Sequence, residues 1–203
     1  MANYAVDSLQ DGCYPGTVVL INILGIQNQS DLDAVEGTIV PAKAALWEEE
    51  PLAESFDFAH YCVIHRFLFE DLYEWAGKPR TVDISKKGTQ FCPAAQIEST
   101  AKAIFARLKK QNFLVGLDRA HFISAIVDFY ERTNELHPFR EGNGRTQRVF
   151  LSQLAHHAGY VIDFARVDPD DLMIATIQAA GGVDDFLKVL FDEMLFSRGL
   201  NPV

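Results

Sequence analysis

Apolar residues recur every three or four positions along most of this chain, and this spacing is typical of amphipathic α-helices. The clearest case is the segment 55–77, in which apolar side chains repeat on one face until Gly77, a residue type that commonly ends helices. The same pattern predicts further helices at 95–112, 117–136, 146–159, 168–182 and 183–196. We therefore expect a mainly helical protein.

Short polar residues mark where several of these helices begin. Ser30, followed three positions later by Asp33, resembles the capping box of a helix that covers the following fifteen or so residues. Pro41 lies inside that helix, so we expect a kink or a break there. The predicted caps of two later helices are Asp118 and Asp168.

One segment, residues 80–93, departs from the helical pattern. Residues that favour extended structure stand on both sides of a Lys-Lys-Gly turn, as in a short β-hairpin. An isolated hairpin is only marginally stable. It is therefore either a plain surface loop or a flap whose unpaired edge holds an extended peptide. The predicted fold class is all-α with a small β-hairpin flap.

The composition is that of a globular protein, with 203 residues of which 48% are hydrophobic, enough for one domain with a well-buried core or for a core with a small appendage. A net charge of −10 and a pI of about 5.0 argue against a nucleic-acid-binding surface. Cys13, Cys62 and Cys92 lie far apart in the sequence and form no Cys-x-x-Cys pair. We therefore interpret them as the reduced thiols of a cytosolic protein. No stretch looks like a signal peptide or a membrane helix, so we expect a soluble cytoplasmic protein without a membrane partner.

The segment 136–150, LHPFREGNGRTQRVF, concentrates unusual residue types between two predicted helices. Pro138 disfavours helical geometry at His137 and ends the first helix. Gly142 and Gly144 flank Asn143 in a turn whose backbone can approach a ligand closely. The unpaired N–H groups at the start of the second helix form a phosphate cradle. Neither a P-loop nor a Rossmann motif is present.

The side chains around this turn suggest a reaction. Arg145 and Arg148 lie on one face of the first helical turn and can contact further phosphate oxygens. Glu141 is the carboxylate beside the cradle, and Mg²⁺ is commonly held by one or two carboxylates together with phosphates. His137 can accept a proton from an attacking hydroxyl. Phe139 is expected to point inward as an anchor. These parts fit a transfer between a nucleotide and a hydroxyl; the alternative is a plain helix–helix turn.

The segment HPFREGNGRTQR resembles the Fic family motif at every specified position, and LYEWAGKPR before the hairpin resembles that family's approach to its active site. The resemblance implies a single Fic domain with a core at about 55–196 and an N-terminal extension at 1–54. It implies a protein adenylyltransferase that uses ATP and Mg²⁺ to modify a Ser, Thr or Tyr hydroxyl of a target protein.

The resemblance also implies roles for individual residues. His137 would be the general base, Glu141 would bind Mg²⁺, and the two motif arginines would contact phosphates. The anion hole would be Gly142, Asn143 and Gly144. Pairing of the target with the flap would involve Thr81, Val82, Asp83, Ile84, Ser85 and Lys86.

Two other enzymatic reactions stay open, namely phosphoryl transfer and removal of AMP, as does a non-catalytic module that binds a nucleotide or peptide. The related Doc toxins phosphorylate their targets with a loop closer to GNKR, so Gly144 favours AMP transfer. The adenine pocket is less defined: the candidates are Gln178 and its neighbours before Ala180–Gly182, and the alternative is that this segment is an ordinary amphipathic helix.

Regulation is inferred from an absent motif. Many Fic proteins carry an inhibitory helix with Ser/Thr-x-x-x-Glu-Gly/Asn, but Leu32 occupies the Ser/Thr position before Glu36 and Gly37. The chain therefore resembles toxins whose inhibitory helix belongs to a separate antitoxin, which would place a glutamate against Arg148. By analogy with that class, the target is a type II topoisomerase subunit. His65, on an apolar helix face, is predicted to be a hydrogen-bonded core histidine.

Overall fold

The computed structural model describes residues 5–6, 12–49, 55–86 and 89–197, and each segment with helical apolar spacing contains a helix. The helix predicted over 55–77 is shorter than expected, because it ends at Phe69 and turns follow up to Gly77. Within these residues the α-helices are α1 (Gln29–Glu49), α2 (Phe58–Phe69), α3 (Ile97–Lys110), α4 (Arg119–Leu136), α5 (Asn143–His157), α6 (Pro169–Ala180) and α7 (Asp185–Met194). The short strands are β1 (Ala5–Val6), β2 (Ile84–Lys86), β3 (Thr89–Gln90), β4 (Tyr160–Ile162) and β5 (Leu195–Ser197). The all-α class with a small hairpin is confirmed. The assignment of the whole chain to one domain stays a prediction.

The core is built around α5, which packs against α2 and α4. Phe150 of α5 is fully buried, and its ring contacts the rings of Phe56, Tyr61, Phe105 and Phe129. Aromatic side chains bury large apolar areas, so this cluster contributes much of the hydrophobic stabilisation. It also holds the start of α5 in a defined position relative to α2 and α4.

The start of α1 differs from the prediction. The cap is Asn28, whose Oδ1 accepts hydrogen bonds from the backbone N–H of Ser30 at 2.9 Å and of Asp31 at 3.3 Å. The assignment of the cap to Ser30 is therefore wrong. The helix begins at Gln29, so Asn28 occupies the position from which a cap reaches the N–H groups of the second and third helical residues, whereas Ser30 lies inside the helix.

The predicted break at Pro41 is also wrong, since α1 continues from Gln29 to Glu49. A proline inside a helix removes one hydrogen bond and crowds the carbonyl four residues earlier. Val40 and Trp47, on either side of Pro41, are almost completely buried, and so is Leu32 in the first half of the helix. Packing along the whole helix outweighs the local cost at Pro41. The predicted caps Asp118 and Asp168 are confirmed by hydrogen bonds to the N–H groups of His121 and Asp170.

The predicted hairpin is present, with β2 antiparallel to β3. A third strand was not predicted: β1 pairs with the other side of β2, with Ala5 opposite Ser85 and Val6 opposite Ile84. The prediction that the flap has an unpaired edge is therefore wrong for β2, because β1 and β3 pair with its two edges. Among the described strands of this sheet, only β1 and β3 lie at an edge.

The last predicted helix is shorter than expected. It ends at Met194, and the following residues Leu195–Ser197 form β5, which pairs antiparallel with β4. Periodicity alone does not separate a short apolar strand from the end of a helix. Among the residues described, no helix combines the length and the apolar character that crossing a bilayer requires.

Candidate active site

A cavity of about 580 Å³ lies between α1, the loop before α5, and α6. Helix α6 contributes an apolar wall that includes Leu172, Met173 and Ile177. The predicted site residues that line the cavity are His137, Glu141, Gly142, Gly144, Arg145 and Arg148. The fold thus brings nearly the whole predicted motif to one concave surface, which is the usual setting of a small-molecule site.

His137 ends α4 in the left-handed conformation, with φ 41° and ψ 60°. Its Nδ1 lies 2.9 Å from the carbonyl oxygen of Asn134. A carbonyl only accepts, so Nδ1 carries the proton, and in the neutral ring the lone pair is on Nε2. The ring is stacked on Phe91 of the flap segment at a centroid distance of 3.8 Å. These two contacts orient an imidazole that can accept a proton at Nε2.

The two glycines of the motif serve different purposes. Gly142 has φ 81°, and a Cβ built on it would lie 2.4 Å from Cζ of the buried Phe69. Gly144 has no positive φ, and a Cβ there would meet only Nη1 of Arg148 at 3.6 Å. Gly142 is required by the backbone and by packing, whereas Gly144 leaves the start of α5 open towards the cavity.

Asn143 has a structural side chain. Its Oδ1 accepts from the N–H of Phe139 and its Nδ2 donates to the carbonyl of Phe139, both at 2.8 Å. This pair of bonds closes the loop before α5. Phe139 is fully buried and stacks on Tyr61 and His65, which confirms that it anchors the loop.

His65 of α2 holds the same loop by a hydrogen bond to its backbone. Its Nδ1 accepts a hydrogen bond from the N–H of Gly77 at 2.8 Å, so Nε2 carries the proton and donates to the carbonyl of Glu141 at 3.0 Å. The ring is completely buried between Phe69 and Phe139. The prediction of a hydrogen-bonded core histidine is confirmed. Burial lowers the pKa of His65 to about 3.

This lowered pKa predicts a pH dependence of stability. In the unfolded chain the imidazole binds a proton below its ordinary pKa of 6.5, and in the folded protein it does so only near pH 3, so stability rises with pH between these values. We expect the free energy of unfolding of the wild type to fall by about 2 kcal/mol from pH 7 to pH 5, relative to His65→Gln. Urea unfolding of both proteins at the two pH values measures this difference. Parallel pH dependences would contradict it.

Glu141 is buried at the cavity wall. Its Oε1 accepts from the N–H of Gly142 at 2.8 Å and from Arg145 at 3.3 Å. Burial raises the pKa of Glu141, although the Gly142 N–H and Arg145 oppose that effect. Among the described residues no group of three His, Cys, Asp or Glu side chains could hold a metal. A lone carboxylate facing a phosphate site still fits Mg²⁺, which takes its remaining ligands from phosphates and water.

The two arginines have different surroundings. Arg145 forms a 2.7 Å salt bridge with Glu36 of α1, and its guanidinium lies 4.8 Å from the ring centroid of Phe69. Arg148 is exposed, and within the described part of the chain it forms no salt bridge. The contact with Glu36 was missed, because the sequence alone gives no reason to pair two residues 109 positions apart.

The flap is attached to the loop before α5 by Arg80, which no sequence pattern marks as a site residue. Its buried guanidinium donates to the carbonyls of Val82 at 2.7 Å, of His137 at 2.9 Å and of Cys92. Because one rigid cation holds three backbone segments, the flap and His137 keep a fixed relation.

Among the described side chains of the predicted flap, those of Thr81, Val82, Asp83, Ile84 and Ser85 do not line the cavity. Thr81 and Asp83 are exposed, Val82 and Ser85 are half-buried, and Ile84 is buried. Asp83 accepts from the N–H of Ala94 at 2.6 Å, which fixes the base of the flap. Lys86 ends β2. Of the described flap residues, Phe91 is the one that faces the cavity.

Gln178 is exposed on α6 and does not line the cavity. Its neighbours Thr176 and Ile177 occupy the face of α6 that does, and the adenine pocket stays a prediction there. The helical rotation of about 100° per residue turns position 178 away from this face.

Sequence comparisons agree with this geometry. Residues 55–155 match the model of the Fic/DOC family. The chain is 35% identical over 186 residues to the probable protein adenylyltransferase Fic of Escherichia coli K12, covering 92% of both proteins. The chain is 41% identical over 187 residues to the protein adenylyltransferase VbhT of Bartonella schoenbuchensis. This alignment covers 92% of this chain but only 39% of VbhT.

Solved structures show the same fold. The BepC protein of Bartonella tribocorum with bound AMPPNP superposes with a TM-score of 0.87 at 29% identity, over 94% of this chain and 98% of that one. An N-terminal Fic domain of Bartonella quintana with bound ADP gives a TM-score of 0.87 at 30% identity, over 93% of this chain and 95% of that domain.

Proposed function

Because the chain belongs to the Fic/DOC family, we propose that it is a protein adenylyltransferase, which transfers AMP from ATP to a Ser, Thr or Tyr hydroxyl of a target protein. The chain is an enzyme of the nucleotidyltransferase class, in line with relatives 35–41% identical that carry this name. The observation that carries the proposal is the one cavity shared by His137, the start of α5 and both motif arginines.

The nucleotide is held mainly by the start of α5. The N–H groups of the first helical turn lack partners within the helix and carry the positive end of its dipole, so they bind phosphate oxygens. Arg145 and Arg148 add charge-assisted contacts from the same turn. The AMPPNP in BepC and the ADP in the Bartonella quintana domain support ATP as the substrate. Glu141 would hold a divalent cation, which when bound neutralises phosphate charge.

His137 acts on the incoming hydroxyl. Nε2 takes the hydroxyl proton as the oxygen attacks the α-phosphorus, and the bond from that phosphorus to the bridging oxygen of the β-phosphate breaks. The products are the AMP-modified protein and pyrophosphate. Stacking on Phe91 and the bond to Asn134 hold the ring in place for this step. Such a reaction depends mainly on positioning and charge stabilisation.

Labelled ATP tests the proposal directly. Incubation of the chain with a bacterial lysate and α-labelled ATP is expected to label a protein whose mass rises by about 329 Da, the mass of an added AMP group. An increase of about 80 Da would instead indicate phosphoryl transfer. ATP binding without any labelling, with every lysate tested, would leave a non-catalytic nucleotide-binding module as the better description.

We also propose that the chain is a cytoplasmic toxin controlled by a small antitoxin. The exposed side chain of Arg148, without a salt bridge to any described carboxylate, suits a glutamate from such a partner, which would block the γ-phosphate. A type II topoisomerase subunit is the proposed target, by analogy with antitoxin-controlled relatives. Expression of the chain by itself should then arrest bacterial growth, and normal growth at high expression would count against the toxin role.

A further inference from the structure

Glu36 is a buried carboxylate that the proposed reaction does not use. It is 2% exposed, although it lies on α1 at the wall of the cavity. Its Oε1 accepts from the hydroxyl of Tyr73, and its Oε2 accepts from Nη1 of Arg145 at 2.7 Å. Burial and the Glu36 carboxylate raise the pKa of Tyr73, so its hydroxyl stays protonated as the donor. A charge buried this deeply requires partners of this kind.

Glu36 shares its cation with Glu141. Nη1 of Arg145 donates to Glu36 at 2.7 Å, and Nη2 donates to Glu141 at 3.3 Å. The shorter distance indicates that the stronger of the two contacts is the one to Glu36. The ring of Phe69 lies against the guanidinium and limits its tilt. Arg145 thus binds both carboxylates, and its stronger contact is with Glu36.

An arginine prefers a two-pronged contact with a single carboxylate. If the charge of Glu36 were removed, Arg145 would turn fully towards Glu141, which lies one helical turn away along the chain. Both prongs would then occupy the Glu141 oxygens, and the carboxylate would lose its capacity to bind another cation. The position of Arg145 therefore decides how much negative charge Glu141 offers to the cavity.

We propose that Glu36 is a positioning residue that draws Arg145 away from Glu141 and so keeps the Glu141 carboxylate available to the divalent cation that accompanies the nucleotide. This inference rests on the proposed function, because it takes the cavity as a site for a metal–nucleotide complex. It concerns the first motif arginine, whereas the antitoxin proposal concerns Arg148.

Two other roles of Glu36 lead to different results. If Glu36 only stabilised the fold, its loss would weaken nucleotide binding equally with and without metal. If Glu36 competed with phosphate for Arg145, its loss would tighten both kinds of binding equally. If Glu36 positions Arg145, loss of its charge makes the site more positive, so the metal-free nucleotide binds more tightly. Mg²⁺ then binds more weakly, because Arg145 occupies the Glu141 carboxylate. The informative quantity is therefore the factor by which Mg²⁺ tightens nucleotide binding.

Isothermal titration of the full chain with AMPPNP, with Mg²⁺ and with EDTA, measures this factor. We expect Glu36→Gln to reduce it by about tenfold, which is the size of effect typical of residues that orient a metal ligand. Asp31→Asn is the matched control, because Asp31 is exposed on the same helix α1 and does not line the cavity. The control should keep the wild-type factor within about twofold.

A second variant covers the case in which Glu36→Gln unfolds. Glu36→Asp keeps the charge but shortens the side chain by one methylene and so weakens the contact with Arg145; the factor should therefore fall in the same direction by a smaller amount. A wild-type factor in whichever of these two variants is folded, judged by thermal unfolding, would overturn the proposal. So would equal tightening with and without Mg²⁺. Because binding is measured in the absence of a target protein, a chain that binds as expected but labels no protein would refute the proposed function alone.

Discussion

His137→Ala is expected to slow AMP transfer by about a thousandfold while AMPPNP still binds, because a positioned general base contributes roughly 10² to 10⁴ in rate. The ring is fixed by Asn134 and Phe91 in an orientation that directs a proton-accepting nitrogen away from the Asn134 carbonyl. The nucleotide is held by other groups, namely the start of α5 and the motif arginines. The rate therefore falls without a matching loss of affinity.

Single-turnover labelling of the target and titration with AMPPNP measure the two quantities separately. The control is His121→Ala, since His121 is exposed at the start of α4 and pairs with Asp118. This variant should transfer AMP at the wild-type rate. Transfer by His137→Ala within tenfold of the wild type would assign the proton transfer to a different group.

Gly142→Ala should have the second large effect, on both stability and nucleotide binding. The added Cβ would lie 2.4 Å from Phe69, which is completely buried between His65 and the Arg145 guanidinium and has no room to move. A left-handed φ costs an alanine roughly 1–2 kcal/mol, and overpacking a core adds roughly 1–3 kcal/mol. We expect a loss of about 3 kcal/mol in the free energy of unfolding. The displaced loop should bind AMPPNP at least tenfold more weakly.

Gly159→Ala separates backbone strain from the clash. Gly159 also has a positive φ, 90°, but a Cβ there would have nothing within 4 Å. We expect this variant to lose only about 1–2 kcal/mol and to bind AMPPNP normally. Urea unfolding and calorimetric titration of both variants provide the comparison. Equal losses in the two variants would mean that contact with Phe69 does not constrain the loop.

Local patterns predicted the helices well but failed at details that depend on the rest of the fold. The continuous α1 is an example, because Pro41 alone argues for a break and the burial of Val40 and Trp47 overrides it. The pairing of β1 with β2 is another, since two residues near the start of the chain contain no strand signal. In both cases a contact from a distant part of the chain decided the outcome.

The candidate site shows the same difference between features set by local sequence and features set by distant segments. The motif residues lie within twelve positions, so their spacing along one loop and one helical turn already places His137 and Arg148 near each other. The supporting residues come from elsewhere: His65 on α2, Arg80 before the flap and Glu36 on α1. Arginine and glutamate side chains are mostly solvent-exposed, so nothing in the sequence predicts that Arg80 and Glu36 are buried.

The sequence by itself determined the helical class of this protein, its hairpin and the motif of its cavity, because periodicity and turn chemistry act between residues a few positions apart. The tertiary structure alone decided which carboxylate accompanies Arg145, which edge of the flap is covered and why Gly142 can have no side chain. These features depend on desolvation and close packing between segments distant in the chain, and such energies exist only once the core around Phe150 has formed.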